Sequence, residues 1–545
     1  KPLAVLKASL NNSYLEDILK KYFVNNPHSL LLTLEPKAGI DKERNAKVEE
    51  DLKNYKASLS EEAITSLIKE TKDLIDFQKR EDSQEAIATI PLLDLKDINP
   101  KATFFAVEEK KVDGITTIHH EEFTNKIVYT NLYFDLRVLP QDLIPYASLL
   151  SNVLGIMNTE KYTYGELNRF QNNNTGGFNT YIKSYLENQD DSKLIPKFVV
   201  STKAMNNKLD KLFELSSEVL NKTKLDDKER LKSILVKHQS QLDANIKSDG
   251  SEVVNDRVLA YFNNQGVFNE LTNGMDYYQF VTNLLSDFDK NADQIISNLS
   301  NVSKLLFTKG NLIASVTSDK NDLTAYTKEF SSFIETLPSG KQAFNDWQLK
   351  IDKKNEGFLS SSKVQYVVEG YNFKKLGYSW SGKMLVLNRA ISREWLYKSI
   401  RVVGGAYGGY STMSIDGNVK FVSYRDPNLK ETLDNYKKVY DFVLNFEADE
   451  NSMKRYIIGS IADLDRPLTL SQKGNKAFSY YFTKTKPEDI QREREEIIST
   501  KKEDINSYAK MIKDIIDQAS YCVYGNAEKI EGNKDLFKNF VKIDK

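Results

Sequence analysis

Residues 399–413, with the sequence SIRVVGGAYGGYSTM, place four glycines within six positions, just after Arg401. Glycine-rich turns of this kind can cradle phosphate groups, because the backbone approaches a ligand closely where side chains are absent. The stretch lacks the Lys-Ser/Thr pair of a P-loop and the G-x-G-x-x-G spacing of a dinucleotide fold, and it follows a helix pattern. Nucleotide binding is therefore disfavoured, and we interpret the glycines as supplying positive φ or close packing at a helix-to-strand turn.

The four histidines do not predict a metal site. Only HHEEF, which begins at His119, resembles a metal-binding pattern, but helical zincin motifs need a second histidine where Phe123 and Thr124 stand. We interpret His119 and His120 as a polar entry to a strand. The single cysteine, Cys522, excludes an internal disulfide and is interpreted as a small buried side chain. No nucleophile with a base can be recognised from spacing, so the chain shows no complete catalytic site.

Length and charge limit the class of protein. A chain of 545 residues exceeds what one core usually holds, so two or more domains are expected. Lys plus Arg number 76 against 77 Asp plus Glu, which favours neither nucleic acid nor an anionic membrane as a partner. The longest apolar run, 147–157, is far shorter than the roughly 20 residues that span a bilayer. The cysteine usage suits the cytoplasm or an organelle matrix.

An internal repeat of long period constrains the architecture more than any single motif. Each copy has the predicted order strand, helix, helix, glycine pair and strand, and a second strand and helix follow. The segments are 126–139, 141–157, 163–174, 175–185 and 197–220 in the first copy, and 361–373, 381–392, 393–403, 404–415 and 420–444 in the second. Strands separated by helices predict α/β layers, with one sheet per copy and helices packed on it.

The residues before the first copy predict a domain end and a linker. A helix at 13–24 feeds an apolar strand within 25–36, in the way that 305–319 closes the first copy. A helical hairpin follows, with Ser60 as an N-cap, and then an extended, proline-containing connector. We predict the end of a truncated preceding domain, a hairpin with its linker, and two homologous domains, at residues 1–40, 41–100, 101–340 and 341–545 respectively.

Arg401 and Tyr407 distinguish the second copy from the first. The first copy has Arg169 before its glycine pair, but at the place of the tyrosine it has only Asn179, beyond Phe178. The combination of arginine and tyrosine is therefore specific to the second copy.

Several separated blocks resemble one family of peptidases. They stand at 401–409 (RVVGGAYGG), 421–436 (FVSYRDPNLKETLDNY), 457–465 (IIGSIADLD), 1–8, 25–36 and 123–136. These residues are similar to the presequence protease and falcilysin branch of the pitrilysin-type, or inverted zincin, metallopeptidases. The resemblance covers nearly the whole chain and is to the C-terminal half of that family.

The resemblance implies an α+β fold in α/β layers. Two homologous pitrilysin-like domains, each a mostly antiparallel sheet packed with helices, would follow a helical-hairpin linker. It also implies a clamshell of two halves that encloses a chamber for unfolded peptides. The zinc ion, with its H-x-x-E-H motif, would belong to an N-terminal catalytic half, so no zinc ligand is carried over to this chain. The chain alone is predicted to be inactive.

The resemblance further implies a role for the residues around the second glycine pair. Arg401 and Tyr407 would approach the zinc site on closure, hold substrate and face the scissile carbonyl, because a tyrosine hydroxyl can donate to a developing oxyanion and a guanidinium is always charged. The glycines gain a second interpretation as positions where the backbone approaches an extended peptide. The predicted substrate-binding residues are Arg401, Tyr407, Gly404, Gly405, Gly408 and Gly409.

An alternative from another class is a non-catalytic peptide-binding or scaffold subunit of the same superfamily, since some relatives have lost the zinc ligands. An H-x-x-E-H motif encoded upstream of Lys1 would favour the enzyme.

Overall fold

The structure is a computed structural model that describes residues 2–543, except for residues 11, 36, 38, 81, 84, 87, 88, 92, 189 and 341. It divides into two compact units, residues 1–92 and residues 93–545. No helix among the described residues carries an apolar stretch long enough to cross a bilayer.

The first unit is helical. Its helices are α1 Pro2–Ser9, α2 Tyr14–Leu19, which continues as a wider helical turn over Lys20–Val24, α3 Ile40–Ser58 and α4 Glu61–Lys79. The predicted hairpin corresponds to α3 and α4, and Ser60 caps α4 because its hydroxyl accepts a hydrogen bond from the N–H of Ala63 at 3.2 Å. The apolar strand predicted within 25–36 does not form over residues 30–35, which adopt no regular secondary structure and pair with no strand in the described part of the unit.

The second unit contains two six-stranded sheets. The first sheet comprises β1 Glu108–Val112, β2 Ile115–Glu121, β3 Ile127–Asp135, β4 Phe178–Glu187, β5 Asp190–Met205 and β6 Leu312–Ser318. The second comprises β7 Glu356–Ser360, β8 Gln365–Asn372, β9 Gly408–Met413, β10 Asn418–Asp426, β11 Tyr521–Asn526 and β12 Asn539–Lys542.

Helices connect and cover the strands of both sheets. Those between β3 and β7 are α5 Ile144–Val153, α6 Tyr164–Asn174, α7 Leu209–Asn221, α8 Lys228–Ser248, α9 Gly250–Ala260, α10 Asn264–Thr272, α11 Met275–Ser286, α12 Phe288–Leu306 and α13 Lys320–Thr336. Those after β8 are α14 Lys383–Ala390, α15 Lys430–Lys437, α16 Val439–Leu444, α17 Glu450–Leu464, α18 Leu470–Thr483, α19 Pro487–Ile498, α20 Lys502–Ser507, α21 Ala509–Ile516 and α22 Ala527–Glu531.

The two sheets share one topology over five strands and differ in the sixth, the edge strand β1 or β12. The first has the order β1-β2-β6-β3-β5-β4, and the second has β12-β7-β11-β8-β10-β9. The last long strand of each copy lies between two earlier strands: β6 lies between β2 and β3 and is parallel to β2, and β11 lies between β7 and β8 and is parallel to β7. The other strand pairs are antiparallel, except for the edge pair β7–β12, which is parallel. The predicted fold class, two homologous and mostly antiparallel sheets packed with helices, is confirmed.

Strand residues alternate between two different cores. Along β3, Leu132 and Phe134 point into the large core formed with helices α5 to α8 and α10 to α13, whereas Tyr133 points to the opposite face. This alternation follows from the two-residue period of a strand, and burial on both faces explains why β3 is apolar or small at most positions. Each sheet therefore needs a second cover on its other face.

Each sheet receives that second cover from the other half of the unit. Helix α9 packs on the second sheet, where Val254 and Val258 share a core with Phe358. Helix α18 packs on the first sheet, where the ring of Phe482 lies 4.8 Å from that of Tyr133. The exchange makes the two sheets one compact unit, since neither would be covered on both faces without it.

A buried ion cluster reinforces this exchange. Arg257 of α9 donates to Glu356 of β7, and at 2.8 Å to both Glu270 and Asp276. Arg257, Glu270 and Glu356 are almost fully buried. Removing one partner of such a cluster is costly, because the others would be left as uncompensated buried charges.

Candidate functional site

Gly404 and Gly405, the glycine pair of the second copy, follow one long helix and not two separate helices. The sequence predicts separate helices over 381–392 and 393–403, but α14 continues without interruption as a wider helix over Ile391–Val403. No glycine or proline lies between Lys383 and Val403, so nothing in the chain breaks the helix there. The i→i+5 pattern continues to the last turn, where the N–H of Gly404 donates to the carbonyl of Ser399 at 3.0 Å.

The four glycines have distinct structural roles. Gly405 adopts φ +80°, in the left-handed region that side chains disfavour. Gly409, in β9, packs against the helix, where an added Cβ would lie 2.7 Å from the carbonyl oxygen of Leu396. At Gly404 an added Cβ would lie 2.6 Å from the Ile400 carbonyl oxygen, whereas Gly408 has only an ordinary contact with Tyr424. Turn geometry and close packing therefore account for three of the four glycines.

Arg401 and Tyr407 are brought together across this turn. The Arg401 guanidinium donates to the carbonyl oxygen of Tyr407 at 2.8 Å, and the N–H of Tyr407 donates to the carbonyl of Tyr424 at 3.0 Å. The Tyr407 side chain is 68% exposed, and its hydroxyl forms no hydrogen bond with the part of the chain that the structure describes. The backbone of Tyr407 is thus fixed while its hydroxyl stays free to donate to a ligand.

Two neighbouring residues were not singled out by sequence reasoning. Arg425 lies with its guanidinium 5.8 Å from the ring of Tyr407, and Tyr397 lies with its ring 5.5 Å from the guanidinium of Arg401. Arg425 has φ +49°, a strained conformation for a side chain other than glycine. Arg425 stands inside the block 421–436, so the resemblance pointed to its vicinity although the residue itself carried no separate signal.

The first glycine pair also lies between a helix and a strand, but with a different backbone and without the same side chains. Gly177 has φ +134°, and the N–H of Gly176 donates to the carbonyl of Lys203 at 2.8 Å. Arg169 forms no hydrogen bond to this turn within the described residues, and Asn179 follows Phe178 in β4. A glycine pair between a helix and a strand is therefore common to both copies, and the contact between arginine and tyrosine is found in the second.

The histidines and the cysteine lie in structural positions. His119 and His120 are within β2 rather than before it, and their rings bond to the carbonyls of Ser318 at 3.1 Å and Ala106 at 2.8 Å. Burial lowers the pKa of His119. Cys522 is buried in β11, as predicted. Among the described residues, no three His, Cys, Asp or Glu side chains form a group that could hold a metal ion, so these residues do not fit a zinc site.

Two family models match the chain. The first describes a region associated with the M16 peptidases of subfamily C, and it matches residues 34–284. The second, "PreP C-terminal domain", matches residues 355–524, which include the second glycine pair.

Individual relatives agree with these models. Protein HypA of Clostridium perfringens is 37% identical over 100% of this chain and 56% of its own length. Presequence protease 1, chloroplastic/mitochondrial, of Arabidopsis thaliana is 29% identical over 100% of this chain and 51% of its own length. The chain thus spans about half the length of these curated relatives.

A solved structure supports the fold. The peptidase M16 inactive domain from Pseudomonas fluorescens superposes with a TM-score of 0.54, at 14% identity, over 77% of this chain and 97% of that one. At that identity the likeness concerns the fold alone. Together the models and relatives support the assignment of this chain as a presequence-protease-like C-terminal half of the M16, or pitrilysin-type, peptidases.

Proposed function

We propose that this chain is the non-zinc-binding half of a zinc metalloendopeptidase, and that it supplies Arg401 and Tyr407 to a site completed by an N-terminal half. The observation that carries the proposal is the contact between the Arg401 guanidinium and the Tyr407 carbonyl at 2.8 Å, beside an exposed tyrosine hydroxyl that is unbonded within the described residues. The substrates would be unfolded peptides held in a closed chamber, in the cytoplasm or an organelle matrix.

The chemistry of the two side chains suits this role. The Tyr407 hydroxyl would donate a hydrogen bond to the oxyanion that develops on a scissile carbonyl, and a donor placed in advance stabilises that charge without reorganisation. Arg401 uses one N–H group to hold the Tyr407 backbone, which leaves its other donors for substrate. Gly408 lacks a structural reason for its small size and is the glycine best suited to close approach by a peptide backbone.

The exposed apolar segment 30–35 of the first unit supports an N-terminal half as the partner. Leu30, Leu31 and Leu34 are 87%, 92% and 91% exposed, although each is large and apolar. In both sheets of the second unit, the last long strand of the copy lies between two earlier strands, β6 between β2 and β3 and β11 between β7 and β8. We propose that residues 30–35 fill the same place in a sheet of the N-terminal half, where their backbone N–H and C=O groups would find partners.

The zinc ion is assigned to the N-terminal half, since the described residues of this chain provide no group of ligands. The division into domains at about residues 40, 100 and 340 also stays a proposal. The alternative of a scaffold or peptide-binding subunit predicts the same fold and the same exposed segment, but no turnover in the joined protein.

Replacing Tyr407 with phenylalanine in the protein that joins both halves tests the proposal. Loss of one oxyanion donor typically lowers kcat by about 10²- to 10³-fold, while the zinc content, measured by metal analysis, stays the same. Turnover equal to that of the unmodified protein would remove Tyr407 from the mechanism. Absence of both zinc and turnover in the unmodified joined protein would favour the scaffold alternative.

A further inference from the structure

A groove of about 490 Å³ lies beside the candidate site, between the long helix that begins with α14 and the edge strand β9, and α17 borders it as well. Its wall contains Arg389, Arg393, Tyr397 and Arg401, which follow one another at intervals of four residues. Side chains at this spacing lie on one side of a helix. Arg401 therefore belongs both to the candidate site and to the end of this row.

Arg393 is the cation of the groove that has no partner among the described residues. It is exposed, and it forms no hydrogen bond, ion pair or ring contact with any of them. Arg389, by contrast, donates to the carbonyl of Gly459 at 2.6 Å and forms an ion pair with Asp463. Arg389 therefore has a structural explanation, and Arg393 has none.

The groove carries an excess of positive charge. Three arginines line it, and Asp463 is the one acidic side chain among its described lining residues. Asp463 is already engaged by Arg389 and, at 2.9 Å, by Arg466. Arg393 and Arg401 thus face the groove without a carboxylate, and a ligand that carries negative charge would complement them.

The opposite side of the groove is the edge of a sheet. Strand β9 pairs with β10 alone among the described strands, and Gly408, Gly409 and Tyr410 line the groove. Further along, the hydroxyl of Ser392 accepts a hydrogen bond from the N–H of Ser411 at 2.9 Å, so the helix closes the edge there. Edge strands bind extended peptides through their backbone groups.

We propose that this groove binds the carboxylate groups of an extended peptide, with Arg393 and Arg401 as its two anchors. A guanidinium matches a carboxylate with two parallel hydrogen bonds. The interval from Arg393 to Arg401 corresponds to at most about 12 Å of helix, and an extended peptide advances about 3.3 Å per residue. Carboxylates about four residues apart fit that distance. The inference rests on the proposed function in one respect, that a peptide substrate reaches Arg401. It also requires Arg393, which the proposed function does not use.

Peptide binding to the full 545-residue chain tests the proposal by fluorescence anisotropy. The first probe is a labelled peptide of about ten residues with two glutamates four positions apart and an amidated C-terminus. The second has glutamine at both positions, and the third combines the glutamines with a free C-terminal carboxylate. We expect the glutamate peptide to bind at least about 10-fold more tightly than the amidated glutamine peptide, since each charged hydrogen bond contributes to affinity. The third probe distinguishes a terminal carboxylate from side-chain carboxylates.

Two variants decide whether Arg393 is the anchor. Arg393→Gln should weaken binding of the glutamate peptide about 10-fold and leave the amidated glutamine peptide unchanged. The control is Lys398→Gln, which removes one positive charge from the same helix but from outside the groove, where Lys398 pairs with Glu394 at 2.8 Å. Circular dichroism should confirm that both variants fold.

Specific outcomes would overturn the proposal. Equal affinities for the glutamate and glutamine peptides, no detectable binding of any probe, or equal losses in Arg393→Gln and Lys398→Gln would each do so. The turnover experiment changes Tyr407, which does not line the groove, whereas the binding experiment changes Arg393, which does. A failure of the turnover experiment therefore stays distinguishable from a failure of carboxylate binding.

Discussion

The two glycine pairs of this chain both lie between a helix and a strand, but in two different settings. In both, the second glycine has positive φ, +134° at Gly177 and +80° at Gly405, and a strand of a six-stranded sheet follows. At the second turn, Arg401 holds the carbonyl of Tyr407. The turn therefore serves the fold that is common to both copies, and the side chains around it are what the second copy adds.

The preceding helices explain how the two settings arise. In the first copy, Gly155 has φ +81° after α5, and Thr163 caps α6 together with Glu166, so a new helix begins there. In the second copy the helix continues from Lys383 to Val403. Because the helix is continuous, Arg389, Arg393 and Arg401 all lie beside β9, the edge strand of the second sheet.

The two sheets also differ in their buried carboxyl groups. In the first sheet, burial alone would raise the pKa of Asp135, but the hydrogen bonds and positive charges of Arg137 and Lys197 lower it. Glu369 in the second sheet is 3% exposed, and its Oε2 atom has no hydrogen-bond partner among the described residues. Burial raises the pKa of Glu369 to about 8, against smaller opposing effects of Lys437 and Lys353.

The largest expected effect is the pH dependence that Glu369 gives the second sheet. A carboxyl group with a raised pKa in the folded state stabilises the fold below its unfolded pKa, and this contribution is lost as pH rises through about 8. As the pH rises from about 5 to about 9, the free energy of unfolding of Glu369→Gln should increase by a few kcal/mol relative to that of the unmodified chain. The reason is that each unit of pKa shift corresponds to about 1.4 kcal/mol. Urea denaturation at the two pH values measures the gain.

Asp135→Asn in the first sheet is the matched control for that experiment. The folded-state pKa of Asp135 is lowered, so its contribution is present at neutral pH and is lost as the solution becomes acidic. Its effect should thus not change between neutral and mildly alkaline pH. A stability difference for Glu369→Gln that is independent of pH would contradict the assignment of the raised pKa.

The next effect concerns activity and compares the two arginines. In the protein that joins both halves, Arg401→Gln should lower turnover of an unfolded peptide by about 10- to 100-fold, the range expected for losing a charged hydrogen bond. Arg169→Gln, at the corresponding place in the first copy, should leave turnover unchanged. Equal effects of the two substitutions would show that the second turn has no special role.

The cost of adding a methyl group near the glycine turn should also differ between the two copies. Gly409→Ala places a Cβ 2.7 Å from the carbonyl oxygen of Leu396, and overpacking of this kind costs about 1–3 kcal/mol. Gly176→Ala meets only the flexible side chain of Lys203, with Cε at 2.7 Å, and should cost less. Denaturation midpoints of the two variants give the comparison. A smaller loss for Gly409→Ala would mean that the helix moves away from β9 easily.

The smallest effect is conformational. Gly405→Ala should cost about 1–2 kcal/mol because its φ of +80° is unfavourable for alanine, although an added Cβ has only an ordinary contact at 3.6 Å with Pro427. Gly405→Asn should cost less, since asparagine tolerates the left-handed region better than alanine. The same denaturation experiment measures both variants, and equal losses would point to the contact rather than the backbone.

Local patterns were sufficient to predict much of this molecule. The hairpin and its Ser60 cap, the repeated order of strands, and the glycine pair before a strand all follow from spacing within one or two elements, whereas the two helices predicted over 381–403 form one. The residues Arg401 and Tyr407 came from comparing the copies and from resemblance to a family, and their functional role stays a proposal. Each of these features depends on residues that are close in sequence.

Contacts between distant residues decided the rest. The sequence alone determined that there are two similar sheets with helices, because strand and helix periods are local properties of the chain. Only the tertiary structure decided that α9 covers the second sheet and α18 the first, and that Arg393 is left without a partner among the described residues beside β9. Those outcomes depend on which surfaces meet, and residues far apart in the chain leave no periodic signal of their contact.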